Sequence, residues 1–345
     1  MNPLAWIRRT ASVLGPFVAL IALLVVFRLA AGASFWGWFN LQNILTQTVL
    51  VAVGAVGMTV IIVAGGIDLS CGAALALAAV LCARVLAPES APAADASAHE
   101  RWWTWLASWP DWSAIPLAIA VGLLVGLANG APIAGLRQLP FIVTLGMMGI
   151  ARGAAKWQAD NQAVGYEIAW LPALMQSPPR PPADAGWWQS LAAAPAVVIA
   201  LAVALGTAAL MRLTVFGRHV YAIGSNEAAA RLCGIRVGWT KLAVYAFGGA
   251  CFGLAGALSA GRLRLGDPTT AMGYELDVIA AVIVGGASLS GGSGTVLGSL
   301  IGALMMTVLR NGAQQLDWPP YVQEILIGAA IVVAVLVDRW RTRAR

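Results

Sequence analysis

Residues 50–70 read LVAVGAVGMTVIIVAGGIDLS and decide the fold. From Leu50 to Ala64 the only polar side chain is Thr59, and the run is then interrupted by Gly65-Gly66. A membrane-spanning helix needs about 20 mostly apolar residues, because lipid offers no partner to a bare backbone amide. The sequence therefore predicts a membrane helix over 41–64 that ends at the glycine pair.

The composition extends this interpretation to the whole chain. Its 345 residues are 60% hydrophobic and only 10% charged, against roughly 25% charged in an ordinary soluble domain, which excludes a soluble enzyme of normal composition. The net charge of +6 is spread over short segments and forms no nucleic-acid patch. The four cysteines lack metal-ligand spacing. We expect no catalytic, cofactor-binding or metal-binding residues.

Apolar length and helix breakers predict ten spans. They are 12–31, 41–64, 71–87, 114–135, 140–157, 194–213, 241–261, 276–288, 294–310 and 320–337. The eighth is short and begins beside Glu275 and Asp277, so the number of true crossings lies between eight and ten. The expected fold is an all-α polytopic bundle, one transmembrane domain over 1–345, with helices broken at Gly-Gly motifs.

The basic residues predict the orientation, since Lys and Arg collect on the cytoplasmic side. They lie at both ends of the chain, at Arg137 and in the segment 214–240, which places both termini and that segment in the cytoplasm. The loops 88–113 and 158–193 are more acidic and are expected to face outward. The first is rich in tryptophan, for which anchoring at the membrane interface is favoured over stacking on sugar rings.

An internal echo singles out the candidate translocation path. GGIDLSCG at 65–72 is matched by GGASLSGG at 285–292, each after a run of Val and Ile, and transporters are commonly built from repeats. Asp68 and Ser288 are predicted to cap the helices that follow; the alternative is that Asp68 binds solute or a coupling ion. The path or helix-break candidates are Gly65, Gly66, Asp68, Ser70, Gly285, Gly286 and Ser288.

The basic segment 214–240 contains a predicted short helix. Residues 226–233 predict a short helix with Asn226 as N-cap, Glu227 in the first turn and Gly234 just beyond its end. The chain has only two lysines, Lys156 and Lys241, and neither sits in a glycine-rich phosphate loop. Any ATPase must therefore be another polypeptide.

Four ordered blocks resemble the sugar-type (ribose, xylose and galactose) permease subunits of bacterial ABC importers. They lie at 43–70, 140–153, 221–235 and 273–312. The related branched-chain amino-acid permeases typically show Asn and Ala-His where this chain has Asp68-Leu69-Ser70. The chain departs from the sugar branch at Cys71, where Val is usual, and near Glu227, where alanine replaces one of two adjacent acidic residues.

The resemblance implies a multi-pass protein of the bacterial inner membrane with several partners. These are an ABC ATPase subunit, which carries the ATP, a periplasmic or surface solute-binding protein, and a second permease subunit, identical or different. The resemblance makes 214–240 the cytoplasmic coupling loop. The implied ATPase-coupling residues are Asn226, Glu227, Ala229, Ala230, Arg231 and Gly234. Two alternatives stay open: an ion-driven secondary transporter using Asp68, Glu275, Asp277 or Glu324, and an ABC permease for another small solute such as a branched-chain amino acid.

Overall fold

The structure is a computed structural model that describes residues 3–88, 97–180, 182 and 192–343, and helices dominate it. The helices are α1 (Pro3–Ala31), α2 (Trp38–Val63), α3 (Cys71–Leu86), α4 (Ala98–Ala107), α5 (Ala114–Gly135), α6 (Pro140–Gln158), α7 (Trp170–Met175), α8 (Pro195–Leu213), α9 (Val215–Ser225), α10 (Glu227–Leu232), α11 (Val237–Leu263), α12 (Tyr274–Val284), α13 (Val296–Gln315) and α14 (Pro320–Arg343). Short 3-10 turns cover Gly32–Trp36 and Asp111–Ser113. Two strands, β1 (Val164–Gly165) and β2 (Leu265–Gly266), form an antiparallel pair.

A helix lies at each of the ten stretches that the sequence predicts to span the membrane, so the all-α prediction is confirmed. The largest difference is at the first stretch, where α1 begins at Pro3, nine residues before the predicted start. The eighth stretch is shorter than predicted at its end. There α12 ends at Val284, four residues before the predicted end, because the chain turns at Gly285-Gly286.

Five helical segments of the described chain are long and apolar enough to cross a membrane. They are Trp38–Val63, Asp111–Gly135, Pro195–Leu213, Val237–Leu263 and Val296–Gln315. Shorter apolar helices cover Gly15–Ala31, Cys71–Leu86 and Pro320–Val333. The count of ten crossings and the cytoplasmic position of both termini stay predictions.

The intervening segments contain helices that hydropathy did not indicate. The 88–113 loop holds α4, whose N-terminus carries a capping box in which Ser97 and Glu100 bond to each other's backbone amides. The 158–193 loop holds α7 and the strand β1. The 214–240 segment holds α9 as well as the predicted short helix.

The chain divides into two compact units. One comprises Ile67–Gln176 and Gly238–Glu275. Within it α3 packs against α5, α6 and the strand pair, where Val164 lies opposite Gly266. Its core contains small alanines together with larger side chains such as Leu86, Tyr166 and Leu171.

Glycines let α5 and α11 approach backbone to backbone within this unit. A side chain on Gly122 would overlap the backbone of Gly249 and Gly253, and one on Gly126 would overlap the carbonyl of Tyr245. Small residues at such crossings let helices in lipid gain van der Waals contact and are common in membrane bundles. The close crossing fixes where α5 places its polar residue, Asn129.

The other unit comprises Met1–Gly66, Ser177–Val237 and Leu276–Arg345. Here α2 and α13 pack side by side, and buried polar groups pair between them. Thr59 Oγ1 donates to Ser299 Oγ at 2.7 Å, and Asn311 Nδ2 donates to Asn40 Oδ1 at 2.9 Å. These pairs satisfy polar side chains that lipid would leave without partners.

We expect Gly126→Ala to destabilise the protein by about 1–3 kcal/mol, the usual cost of overpacking. The added methyl would meet the backbone of Tyr245, so the helices themselves must separate. The control is Gly149→Ala in α6, where a Cβ meets nothing within 4 Å. Thermal unfolding in detergent measures both, and equal melting temperatures for the two variants would contradict the close crossing.

Candidate functional site

The first glycine pair closes the end of α2. Gly65 takes a left-handed φ of 81°, which favours glycine. Its amide donates to the Ile62 carbonyl at 2.9 Å, and the Gly66 amide donates to the Ile61 carbonyl at 2.9 Å. This pair of bonds is a Schellman motif, which satisfies carbonyls at a helix end. The predicted helix break at Gly65-Gly66 is therefore present in the structure.

The Asp68 carboxylate lies in a small, fully buried polar network with Ser70 and Asn129. Asp68 Oδ1 accepts from the Ser70 amide at 2.8 Å and from Ser70 Oγ at 2.6 Å. Asn129 Nδ2, from α5, donates to Asp68 Oδ2 at 3.2 Å and to Ser70 Oγ at 2.8 Å. The carboxylate thus receives hydrogen bonds on both oxygens from its own unit.

The prediction that Asp68 caps α3 is wrong. The helix begins at Cys71, its N-cap is Ser70, and no side chain bonds to its first amides. Asp68 instead accepts the backbone amide two residues on, which makes an Asx turn just before the helix. The side chain stabilises the turn between α2 and α3 without being the helix cap.

The second glycine pair ends α12 by the same motif, shifted by one residue. Gly286 has a φ of 96°; its amide donates to the Ile283 carbonyl at 2.8 Å, and the Ala287 amide donates to the Val282 carbonyl at 3.1 Å. The left-handed residue is the second glycine here and the first at 65–66. Gly285 has another use, because a side chain on it would overlap the backbone of Gly298 in α13.

The prediction that Ser288 caps α13 is also wrong. That helix begins at Val296, and its N-cap is Thr295, whose Oγ1 accepts the Gly298 amide at 3.1 Å. Ser288 Oγ instead lies 2.8 Å from Ser290 Oγ. The pair repeats the spacing of Asp68 and Ser70, so the echo is a repeated turn with a side-chain pair two residues apart.

The short helix predicted at 226–233 is confirmed as α10. Asn226 is its N-cap, and Asn226 Oδ1 accepts the Ala229 amide at 3.0 Å. Glu227 and Arg231, one turn apart, form an exposed ion pair at 2.7 Å.

The far end of α10 closes in a Schellman motif, as Gly234 predicts. Gly234 has a φ of 83°, and its amide donates to the Arg231 carbonyl at 3.1 Å, while the Ile235 amide donates to the Ala230 carbonyl at 3.1 Å. Buried Ala230 packs with Ile223 and Val237. We call α9 and α10 together, residues 215–232, the lever.

The structure brings some of the candidates together. Gly65, the 285–294 segment and the end of α9 meet within one unit, whereas Asp68 and Ser70 belong to the other. Sequence reasoning missed Asn129, Tyr221, Gly224 and Thr295. Asn129 left a signal, since a polar side chain inside an apolar span is by default functional or paired.

The all-α bundle with several apolar spans, helices ended by glycine pairs and polar groups paired inside it is that of a multi-span membrane protein. Among the described residues, no group of three or more His, Cys, Asp or Glu side chains could hold a metal ion. The chain belongs to the family described as "Branched-chain amino acid transport system / permease component", whose model matches residues 40–335.

Three curated relatives cover nearly the whole chain. The ribose import permease protein RbsC of Escherichia coli is 37% identical over 93% of this chain and 92% of its own. The galactose/methyl galactoside import permease protein MglC of Escherichia coli is 35% identical over 94% and 93%. The fructose import permease protein FrcC of Rhizobium meliloti is 30% identical over 94% and 84%. No solved structure matches the chain.

We expect Asp68→Leu to lower the yield of folded protein much more than Asp68→Asn. Asparagine keeps an oxygen for the Ser70 amide, whereas leucine leaves buried donors unpaired at about 1–3 kcal/mol each. Folded yield is measured by size-exclusion chromatography in detergent. Equal losses of folded protein in the two variants would contradict a structural role for the network.

The double variant Asp68→Asn/Asn129→Asp is the control for charge. It exchanges the carboxylate and the amide between the two positions. The carboxylate, now at residue 129 in α5, can accept hydrogen bonds from the amide at residue 68 and from Ser70 Oγ. Uptake restored by the exchange, relative to Asp68→Asn, supports a network role. Normal folding without uptake in the exchanged protein would show that the charge is needed at residue 68.

Proposed function

We propose that this chain is the membrane-spanning permease subunit of an ATP-driven importer that carries a monosaccharide across the bacterial inner membrane. The observation that carries the proposal is the similarity, over more than nine-tenths of the chain, to permeases named for ribose and galactose import. The sugar arrives on a solute-binding protein outside, and a separate ATPase subunit inside supplies the energy. A second permease subunit completes the path.

The lever is the proposed contact with the ATPase. It is short, closed at its start by the Thr214 hydroxyl and just beyond its end by the backbone bonds of Gly234 and Ile235. It presents an exposed surface that includes Leu232, which is 90% exposed. A rigid helical segment suits a contact that is displaced by a partner, because its backbone torsions are fixed and cannot absorb the displacement. The outward position of 88–113 and 158–193 and the cytoplasmic position of 214–240 belong to the same proposal.

An ion-driven transporter is the rival from another class. It requires a carboxylate in the spans that is free to bind an ion. The two carboxylates that are buried in the described chain are engaged instead: Asp68 accepts from Ser70 and Asn129, and Asp277 pairs with Arg310 at 2.7 Å. Of the other two candidate carboxylates, Glu275 is half-buried and Glu324 is exposed. The arrangement favours the importer.

Uptake by reconstituted vesicles tests the function. The chain is combined with a candidate ATPase and a binding protein from neighbouring genes, and labelled ribose, galactose, fructose and leucine are supplied in turn. We expect ATP-dependent uptake of a sugar, and no ATP hydrolysis by the chain alone. Leucine uptake would favour the amino-acid branch, and uptake driven by an ion gradient without the ATPase would overturn the importer.

We expect Ala230→Pro to abolish uptake while leaving membrane insertion intact. The Ala230 amide donates the first helical bond, to the Asn226 carbonyl at 2.9 Å, and proline in a helix interior costs about 3 kcal/mol. The readouts are co-purification of the ATPase and solute-stimulated ATP hydrolysis, both of which should fall.

Ala228→Pro is the matched control. Ala228 is exposed and lies in the first turn of α10, where helical amides have no acceptor within the helix and proline is tolerated. It should retain most of the wild-type uptake. Wild-type uptake by well-expressed Ala230→Pro protein would remove α10 from the coupling mechanism.

A further inference from the structure

The C-terminal end of α9 touches the end of α2 without any side chain between them. Val63 is the last residue of α2, and its carbonyl accepts the Gly292 amide at 2.9 Å. Gly224 of α9 lies against the same two groups, so a Cβ there would overlap the Val63 carbonyl oxygen and crowd the Gly292 nitrogen. Three backbone segments therefore meet at one point.

Tyr221 holds the same loop from one turn earlier on α9. Its hydroxyl donates to the Gly294 carbonyl at 2.8 Å. Residues three apart share a helix face, so Tyr221 and Gly224 both contact the 291–294 segment. That segment has left-handed backbone at Gly291 and Gly292, with φ of 85° and 72°. It lies between the glycine pair that ends α12 and Thr295, the N-cap of α13.

The end of α9 that makes these contacts is directly connected to the short helix α10. Asn226 alone separates the two helices, since α9 ends at Ser225 and α10 begins at Glu227. Ile223 of α9 packs on Ala230 of α10 in a buried cluster. The other end of α9 is also closed, because Thr214 Oγ1 accepts the Gly217 amide at 3.3 Å. A displacement of α10 must therefore carry the end of α9 with it.

We propose that Tyr221 and Gly224 are positioning residues that transmit movement of the lever to the end of α2 and to the 285–294 segment that joins α12 to α13. We call this contact, formed by Tyr221 and Gly224 with Val63, Gly292 and Gly294, the joint. Two backbone segments in direct contact transmit a displacement, because no side chain lies between them that could change its rotamer instead. The inference rests on the proposed ATPase contact of the lever and adds the path by which its movement reaches the membrane helices.

Tyr221→Phe is the sharpest test, because it removes one hydroxyl and keeps the ring. In vesicles containing the ATPase and binding protein, we expect unchanged folded yield and unchanged ATPase co-purification. Sugar moved per ATP hydrolysed should fall about threefold to tenfold, the effect of one hydrogen bond. Tyr321→Phe, at an exposed tyrosine of α14, is the matched control and should match wild type.

Gly224→Ala tests the backbone contact. The methyl must push α9 away from Val63, so transport per ATP should fall by at least about tenfold if the overlap costs about 1.4 kcal/mol or more. Gly206→Ala, in α8 where a Cβ meets nothing within 4 Å, is the control. If Gly224→Ala fails to fold, the result for Tyr221→Phe still tests the joint.

The outcomes separate the joint from the function on which it rests. Suppose that the wild-type chain shows coupled transport and Tyr221→Phe moves as much sugar per ATP hydrolysed as the wild type. That result would overturn the joint but would not contradict the proposed importer. Loss of ATPase co-purification in Tyr221→Phe also overturns the joint, because the residue would then shape the docking surface. If the wild-type chain itself associates with no ATPase, the proposed function fails and the joint fails with it.

Discussion

The rest of the structure depends on one constraint: a backbone carbonyl or amide surrounded by lipid has no water to bond with. A helix that stops beside another span must therefore satisfy its last carbonyls within the protein. Gly65 and Gly286 do so with left-handed turns that return their amides to the preceding helical turn. The Val63 carbonyl is satisfied from a distant segment, by the amide of Gly292.

Glycine has a second use, which follows from packing rather than from dihedral freedom. Gly122 and Gly126 let α5 lie on the backbone of α11, and Gly224 lets α9 lie on the end of α2. Lipid tails are as apolar as leucine, so association of helices in a membrane depends on such close contact. The crossing of α5 and α11 also sets the position from which Asn129 reaches Asp68.

Hydropathy predicted where the long helices lie, and cap residues predicted both ends of α10 correctly, because these are local properties of the chain. Sequence reasoning could not foresee the bond from Asn129 to Asp68, because these residues lie 61 positions apart. The cap of α13 was missed for another reason: Thr295 bonds an amide only three residues on, but Ser288 was preferred because it holds the place of Asp68 in the echo. The helix α9 was missed because its 11 residues, which include Arg218 and His219, are too few and too polar to stand out as an apolar span.

A neutral sugar offers hydroxyl groups and no charge, so a path for it needs no counter-charge along the spans. The two buried carboxylates of the described chain fit this requirement, since their hydrogen bonds and ion pair are made within the protein. Asp68 is held by Ser70 and Asn129, and Asp277 by Arg310. Burying a charge in this way is tolerated only when its partners are fixed, which ties these groups to the fold. In the proposed importer, selection among sugars would fall to the binding protein that delivers the solute. The permease would then need only a path that changes shape when the lever is displaced, as the proposed joint allows.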